Sequence, residues 1–174
     1  MNHDDISPSA PSDEVRRMLL SGDVAGASRL LGTPYILSGV VVGGKRIGKK
    51  IGFPTANLRL RHPSDIVPLQ GVYATLAYLG DDGRAMPAMT NIGFRPTFDG
   101  DGMTIETHIF GLDRAIYGVS LTVAFIERIR PEQRFADISE LVGQLHNDAR
   151  HCYNIIKVYG ARVGIELLAE GDEL

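Results

Sequence analysis

From residue 34 onward the chain alternates short apolar runs with glycine, proline and polar turns, a texture of period two that marks strands rather than helices. The runs 35–42, 55–60, 71–79, 85–93, 104–110 and 120–130 are rich in β-branched and aromatic residues, which suit a pleated, half-buried surface. Asp81-Asp82-Gly83 and Asp99-Gly100-Asp101-Gly102 are tight-turn sequences, so the strands beside them are expected to pair antiparallel. Several short strands joined in this way predict a barrel. Ahead of them, Ser12 and early acids precede Val15, Met18 and Leu19, and a short helix is expected to end near Gly22. Asp23 opens a second helix, with Val24, Ala27, Leu30 and Leu31 on one side and Gly32 as its stop. After the strands, Asp137-Ile138-Ser139-Glu140 has capping-box spacing and opens a long helix. Its apolar positions run Ile138, Leu141, Leu145, Ala149, Cys152 and Ile156, and Gly160 is expected to end it. The polar residues 1–11 show no apolar face and read as a disordered leader. In the tail 161–174, Ile165, Leu167 and Leu168 form an apolar cluster with no assignable element.

Composition narrows the functional classes. At 174 residues and 44% hydrophobic, the chain is long enough for one core and short for two. Its formal charge of −3 argues against a nucleic-acid partner, which ordinarily calls for a basic excess or stripe. Cys152 stands alone, so no internal disulfide can form. Asp4 and Asp5 occupy the place where a secretion signal needs positive charge, and no apolar run reaches the length of a spanning helix. The expected setting is therefore cytoplasmic, with no membrane partner. A monomer is compatible with everything in the sequence.

The segment 43–57 is the richest in chemistry. Gly43, Gly44, Gly48 and Gly52 let backbone N–H groups converge, and Lys45, Arg46, Lys49 and Lys50 add positive charge; together they can cradle phosphate. No Gly-Lys-Ser/Thr closes it, so it is not a P-loop. A glycine-rich hairpin with solvated lysines reads the same composition equally well. Pro54-Thr55-Ala56-Asn57 follows directly. In an extended strand Thr55 and Asn57 share a face and offer neutral oxygens suited to a hard cation such as Mg²⁺ held jointly with substrate phosphates. By itself Thr-x-Asn more often marks an ordinary polar face. In 104–109, alternation puts Ile105 and Ile109 on one face and Glu106 and His108 on the other. Glu106 so placed can act as a general base or be a solvated strand glutamate; His108 reads as structural or supporting. The run from Asn91 through Arg95 to Phe98 has the residues of a shaped loop beside a site, or of a tight turn.

Taken in order, Gly44, Gly48-Lys49, Gly52-Phe53-Pro54-Thr55-Ala56-Asn57-Leu58, Gly71-Val72-Tyr73-Ala74, Asn91-Ile92-Gly93, Arg95-Pro96-Thr97-Phe98, Glu106-Thr107-His108, Tyr117-Gly118 and Arg130-Pro131-Glu132 through Phe135 resemble the riboflavin kinase family. The similarity extends roughly over residues 34–156. It implies a mainly β fold, a six-stranded antiparallel Greek-key barrel with a long C-terminal helix and a short N-terminal helical hairpin. It implies ATP and riboflavin as small-molecule substrates, FMN and ADP as products, and a divalent cation, Mg²⁺ or another. It also implies roles: Thr55 and Asn57 as metal ligands; Gly44, Gly48, Lys49, Gly52, Pro54 and Thr55 around the ATP phosphates; Glu106 as the catalytic base; and Asn91, Arg95 and His108 as supporting or flavin-side residues. Arg130, Glu132 and Phe135 match the pattern too, and read as a strand-to-helix junction held by charge pairing and packing.

Residues 12–35 are similar to the segment that joins the kinase to the adenylyltransferase domain in bifunctional bacterial FAD synthetases. No His-x-Gly-His nucleotidylation motif occurs, so FAD synthesis from FMN is not expected. The expected division is a leader and helical linker at 1–33, the barrel with its helix at 34–160, and a tail at 161–174. The rival from another class is a flavin-binding or regulatory module that keeps the barrel without turnover. Joint presence of Thr55, Asn57 and Glu106 speaks against it, because binding flavin alone needs none of the three.

Overall fold

The computed structural model describes residues 11–44, 47–94 and 102–167. Two short helices open it, α1 (Asp13–Ser21) and α2 (Val24–Leu31). Each begins as its sequence directs: the Ser12 side chain accepts from Val15 N, and Asp23 from Gly26 N at 2.8 Å. Each ends on a left-handed glycine, Gly22 and Gly32. The strands follow as β1 (Tyr35–Val42), β2 (Ala56–Leu60), β3 (Gly71–Leu79), β4 (Met86–Phe94), β5 (Met103–Ile109) and β6 (Ser120–Arg130). A one-turn helix, α3 (Ile47–Lys50), lies between β1 and β2, and α4 (Ile138–Val163) closes the described chain.

The strands form a closed barrel in the order β1-β2-β5-β4-β3-β6, with every neighbour antiparallel. β3, β4 and β5 are consecutive and β6 returns beside β3, which is the Greek-key order. The Asp99–Gly102 turn sequence falls largely outside the described residues, but the strands it joins pair antiparallel as expected.

Two apolar layers follow from strand alternation. The barrel interior holds Leu37, Tyr73, Ile92, Ile105, Leu121 and Phe125, and one of its ends is plugged by Val15, Leu19, Val24 and Ala27 of the helical hairpin. The second layer lies outside the barrel, where Val72, Ala74, Leu76, Met89 and Ala124 pack against Ala149, Cys152 and Ile156 of α4. β3 is buried on both faces for this reason, and its sequence is apolar on both.

Three sequence expectations need correction. Gly160 does not end the last helix: it is buried within α4, where Leu167 packs close enough that a Cβ would come within 3.3 Å of it. The stop is Gly164, in the left-handed conformation. Ile138 is 67% exposed, so the apolar stripe of α4 that packs inward starts after it. Thr55 precedes β2 rather than opening it. Of the unassigned tail cluster, Ile165 and Leu167 pack on the outer layer; Leu168 lies outside the described residues. Among the described residues no helix is long and apolar enough to cross a membrane.

Candidate active site

Register places the polar residues singled out above in one line. Asn57 of β2 stands opposite Glu106 of β5, and Glu106 stands opposite Asn91 of β4. The line continues through Val72 on β3 to Arg130 on β6. Its members point out of the barrel, since Ala56, Thr107 and Thr90 next to them point in. Glu106 and His108 share the outer face, as alternation predicts, with buried Ile105 and Ile109 on the inner one.

Over this face lies a cavity of about 360 Å³ between the barrel and α4. Its strand side is Val72, Met89, Asn91, Glu106, His108 and Arg130; its roof is Leu141 and Leu145 of α4. Gly48, Ile51, Phe53 and Thr55 close one end, and Glu132, Gln133 and Phe135 the other. The wall is apolar over most of its extent, with the carboxylates of Glu106 and Glu132, the amides of Asn91 and Gln133 and the Arg130 guanidinium set into it, a composition that suits a small-molecule site. A second cavity of about 320 Å³ opens at the barrel mouth, lined by Lys49, Pro54 and Thr55 on one side and Asp113, Arg114 and Tyr117 on the other. Thr55 belongs to both. A larger cavity, about 620 Å³, lies along the C-terminal half of α4 against α2 and β6 and includes none of the residues predicted for the site.

The segment between α3 and β2 is pinned by close packing. Phe53 is buried with its ring edge-on to His108 (5.2 Å between centres) and to His146 of α4 (4.9 Å). The His108 Nδ1–H donates to the Pro54 carbonyl at 2.7 Å, which fixes the tautomer because a carbonyl can only accept. Burial pushes the His108 pKa down, against an opposing pull from that hydrogen bond. Close approach requires Gly48, where a Cβ would lie 2.1 Å from the Phe53 carbonyl oxygen; at Gly44 a Cβ would lie 2.2 Å from the Asn57 amide nitrogen and displace that side chain. Gly52 turns the chain with φ +85°.

The predicted residues therefore divide. Gly48, Thr55, Asn91, Glu106 and His108 meet at the first cavity; Lys49, Pro54 and Thr55 meet at the second. Gly52 lines a neighbouring cleft with Phe53 and His146. Asn57 stands beside Glu106 in register and under Gly44, but lines neither of the two cavities. Arg95 lies outside the described residues. Glu132, Gln133, Phe135, Leu141 and Leu145 were not predicted as site residues. The string Arg130-Pro131-Glu132 to Phe135 joins β6 to α4, and it is also a wall of the cavity. Arg130 pairs with Asp148 of α4 and lies over the Phe135 ring. Asn91 Nδ2 donates to Glu132 Oε1 at 3.4 Å.

For a cation, the described residues offer no cluster of three or more His, Cys, Asp or Glu side chains. Exposed Thr55 and half-buried Asn57 present neutral oxygens beside the glycine-rich turn. That donor set fits a hard ion that keeps most of its shell as phosphate oxygen and water.

Comparison with known proteins shows what the chain is similar to. A family model described as Flavokinase: Riboflavin kinase matches residues 31–156. A bifunctional riboflavin kinase/FMN adenylyltransferase from Escherichia coli K12 is 40% identical over 149 residues, which are 84% of this chain and 47% of that protein. A protein of the same name from Bacillus subtilis is 39% identical over 79% of this chain and 43% of its own length. A solved structure named macrolide-efflux protein, from Streptococcus pneumoniae, superposes with TM-score 0.76 at 35% identity, covering 83% of this chain and 47% of that one. The chain spans about half the length of the curated relatives it matches.

Proposed function

The chain belongs to the riboflavin kinase family, and from that premise we propose that it transfers the γ-phosphate of ATP to the ribityl 5′-hydroxyl of riboflavin, giving FMN and ADP. One observation carries the reading: two cavities share Thr55, and Glu106 stands in the wall of the first. The cavity under α4, roofed by Leu141 and Leu145 and ended by Phe53 and Phe135, suits a flat flavin ring. The mouth cavity, with Lys49 and Arg114, suits an anionic nucleotide. Their junction at Thr55 is where a phosphoryl donor and an alcohol acceptor can meet.

Phosphoryl transfer asks of a protein chiefly alignment and stabilisation of charge. The Gly44-to-Gly52 segment turns backbone donors toward the phosphates, and Lys49 adds positive charge. Glu106 accepts the proton of the 5′-hydroxyl as its oxygen forms the new bond to the γ-phosphorus; the bond to the β,γ-bridging oxygen breaks, and ADP leaves with that oxygen. Thr55 and Asn57 are the residues that would hold a divalent cation, whose chemistry there is neutralisation of phosphate charge. His108 keeps the Pro54 carbonyl, and so Thr55, in position. Residues 34–163 form the catalytic unit in this reading, with 12–33 as the plug at one barrel end.

The test is purified protein with riboflavin, ATP and Mg²⁺, followed chromatographically, beside an EDTA-treated sample. FMN and ADP should accumulate in equal amounts, and only with the metal. Riboflavin binding with no FMN under these conditions would move the assignment to a binding module.

A further inference from the structure

The face of α4 that packs on the barrel carries Ala149, Cys152 and Ile156, and also Asp148, a carboxylate 3% exposed. Its oxygens accept from Arg130 Nε at 3.0 and 2.9 Å, from Arg130 Nη2 at 2.7 Å and from Gln144 Nε2 at 2.8 Å. Arg130 Nη1 donates to the Pro131 carbonyl at 2.9 Å, and the guanidinium carbon lies 5.8 Å from the centre of the Phe135 ring. A buried pair of this kind is a weak source of stability, because removing two charges from water offsets most of their attraction. Fixed geometry is what the fork-shaped pair provides.

That geometry is needed just here. Residues 131–135 belong to no helix or strand, yet Glu132, Gln133 and Phe135 form one end of the cavity under α4. The far end of this connection is held by the helix cap, where Ala136 N donates to Glu140 Oε2 at 2.7 Å and Glu140 N to Asp137 Oδ1 at 2.8 Å. The near end is held by Arg130 on its carboxylate. We infer that Asp148 is a positioning residue for the flavin: acting through Arg130, it holds the Phe135 and Glu132 wall against which the isoalloxazine ring packs. This rests on the kinase reading above and extends it from the reacting groups to a helix residue that touches neither substrate. None of Arg130, Glu132, Phe135 or Asp148 lines the mouth cavity, so the effect must fall on riboflavin and spare ATP.

Riboflavin affinity, read by quenching of flavin fluorescence, and the KM values for both substrates are compared in the full chain and in Asp148→Asn, Gln144→Met, Phe135→Ala and the Asp148→Asn/Phe135→Ala double variant. Asp148→Asn should weaken riboflavin binding by roughly tenfold or more, since small misplacements of a site wall carry large penalties. The KM for riboflavin should rise more than kcat falls, and that for ATP should stay within about twofold. Gln144→Met, which leaves the ion pair intact, should shift riboflavin the same way by less, and it carries the test if Asp148→Asn does not fold. The double variant should be no weaker than the weaker single variant, because both changes remove the same wall. Equal losses for ATP and riboflavin, fully additive effects, or unchanged riboflavin affinity in both Asp148→Asn and Gln144→Met would overturn the inference while leaving an active wild-type kinase. A wild-type chain that neither binds riboflavin nor forms FMN would remove the kinase reading and this inference with it.

Discussion

Two rows of polar side chains run side by side in the barrel, the inner across β5, β4 and β3 and the outer across β2, β5 and β4, and they have opposite fates. The inner row includes Thr107 and Thr90, and the Thr90 hydroxyl hydrogen-bonds to Thr107 and Thr75 at 2.9 Å each, with all three residues fully buried. The outer row, one residue along each strand, is Asn57, Glu106 and Asn91. Because side chains alternate along a strand, a single step carries polarity from a closed chain of hydroxyls to the wall of a cavity. The inner hydroxyls partner one another, and the interior is rigid for it. The outer carboxylate and amide face space that a substrate can enter. Polarity in a strand therefore does not distinguish structure from site; what the polar atom faces does.

Substitutions that keep shape and change one polar group separate the two rows. Glu106→Gln should give the largest effect: kcat lower by about 10²- to 10⁴-fold, with riboflavin affinity within about threefold and the melting temperature unchanged. Loss of flavin affinity in parallel with rate would instead make Glu106 a binding group. Thr90→Val should do the reverse. It strands the Thr75 and Thr107 hydroxyls inside the barrel, at a cost of about 2–3 kcal/mol, which lowers the melting temperature by roughly 5–10 °C for a chain of this size. At 25 °C its kcat should stay within about twofold of wild type. A Thr90→Val protein with normal melting and impaired turnover would erase the distinction between the rows.

The barrel was legible because strand alternation and turn residues are local signals. All six runs appear as strands with ends shifted by at most one residue from the expected ones. Residue type alone left the glycine-rich segment, Thr55 and Glu106 open, since solvated lysines, an ordinary polar face and a strand glutamate read the same letters; the family resemblance singled them out, and the fold brings Gly48, Thr55 and Glu106 to one cavity. What escaped was the other half of the cavity. Leu141 and Leu145 look like ordinary core positions of an amphipathic helix, and nothing local says that α4 stands off the barrel at that end. Asp148 left a trace: it falls three residues after Leu145 and four before Cys152, on the apolar stripe, where a carboxylate needs a buried partner. The partner, Arg130, is eighteen residues earlier at the end of a strand, and pairing over that distance is a tertiary fact.

His108 tests where the outer row stops being site. It lies two residues from Glu106 on the same face, yet its ring is packed edge-on against Phe53 and Phe110, and its Nδ1–H is committed to the Pro54 carbonyl. It behaves like the threonines within. Burial holds its pKa below the ordinary histidine value of 6.5, so the unfolded chain takes up a proton at a higher pH than the folded one. The stability it contributes is complete above about pH 6.5 and is lost as pH falls through the window between that value and the depressed folded one. His108→Asn keeps a side-chain N–H for Pro54 and removes the titration. In urea unfolding between pH 5 and 8, the difference between wild type and variant should therefore vary with pH below 6.5 and level off above it, since the other histidines are common to both and cancel. A difference that is flat across the whole range would mean that His108 is protonated as readily in the fold as in the open chain, and that its face belongs to solvent and substrate.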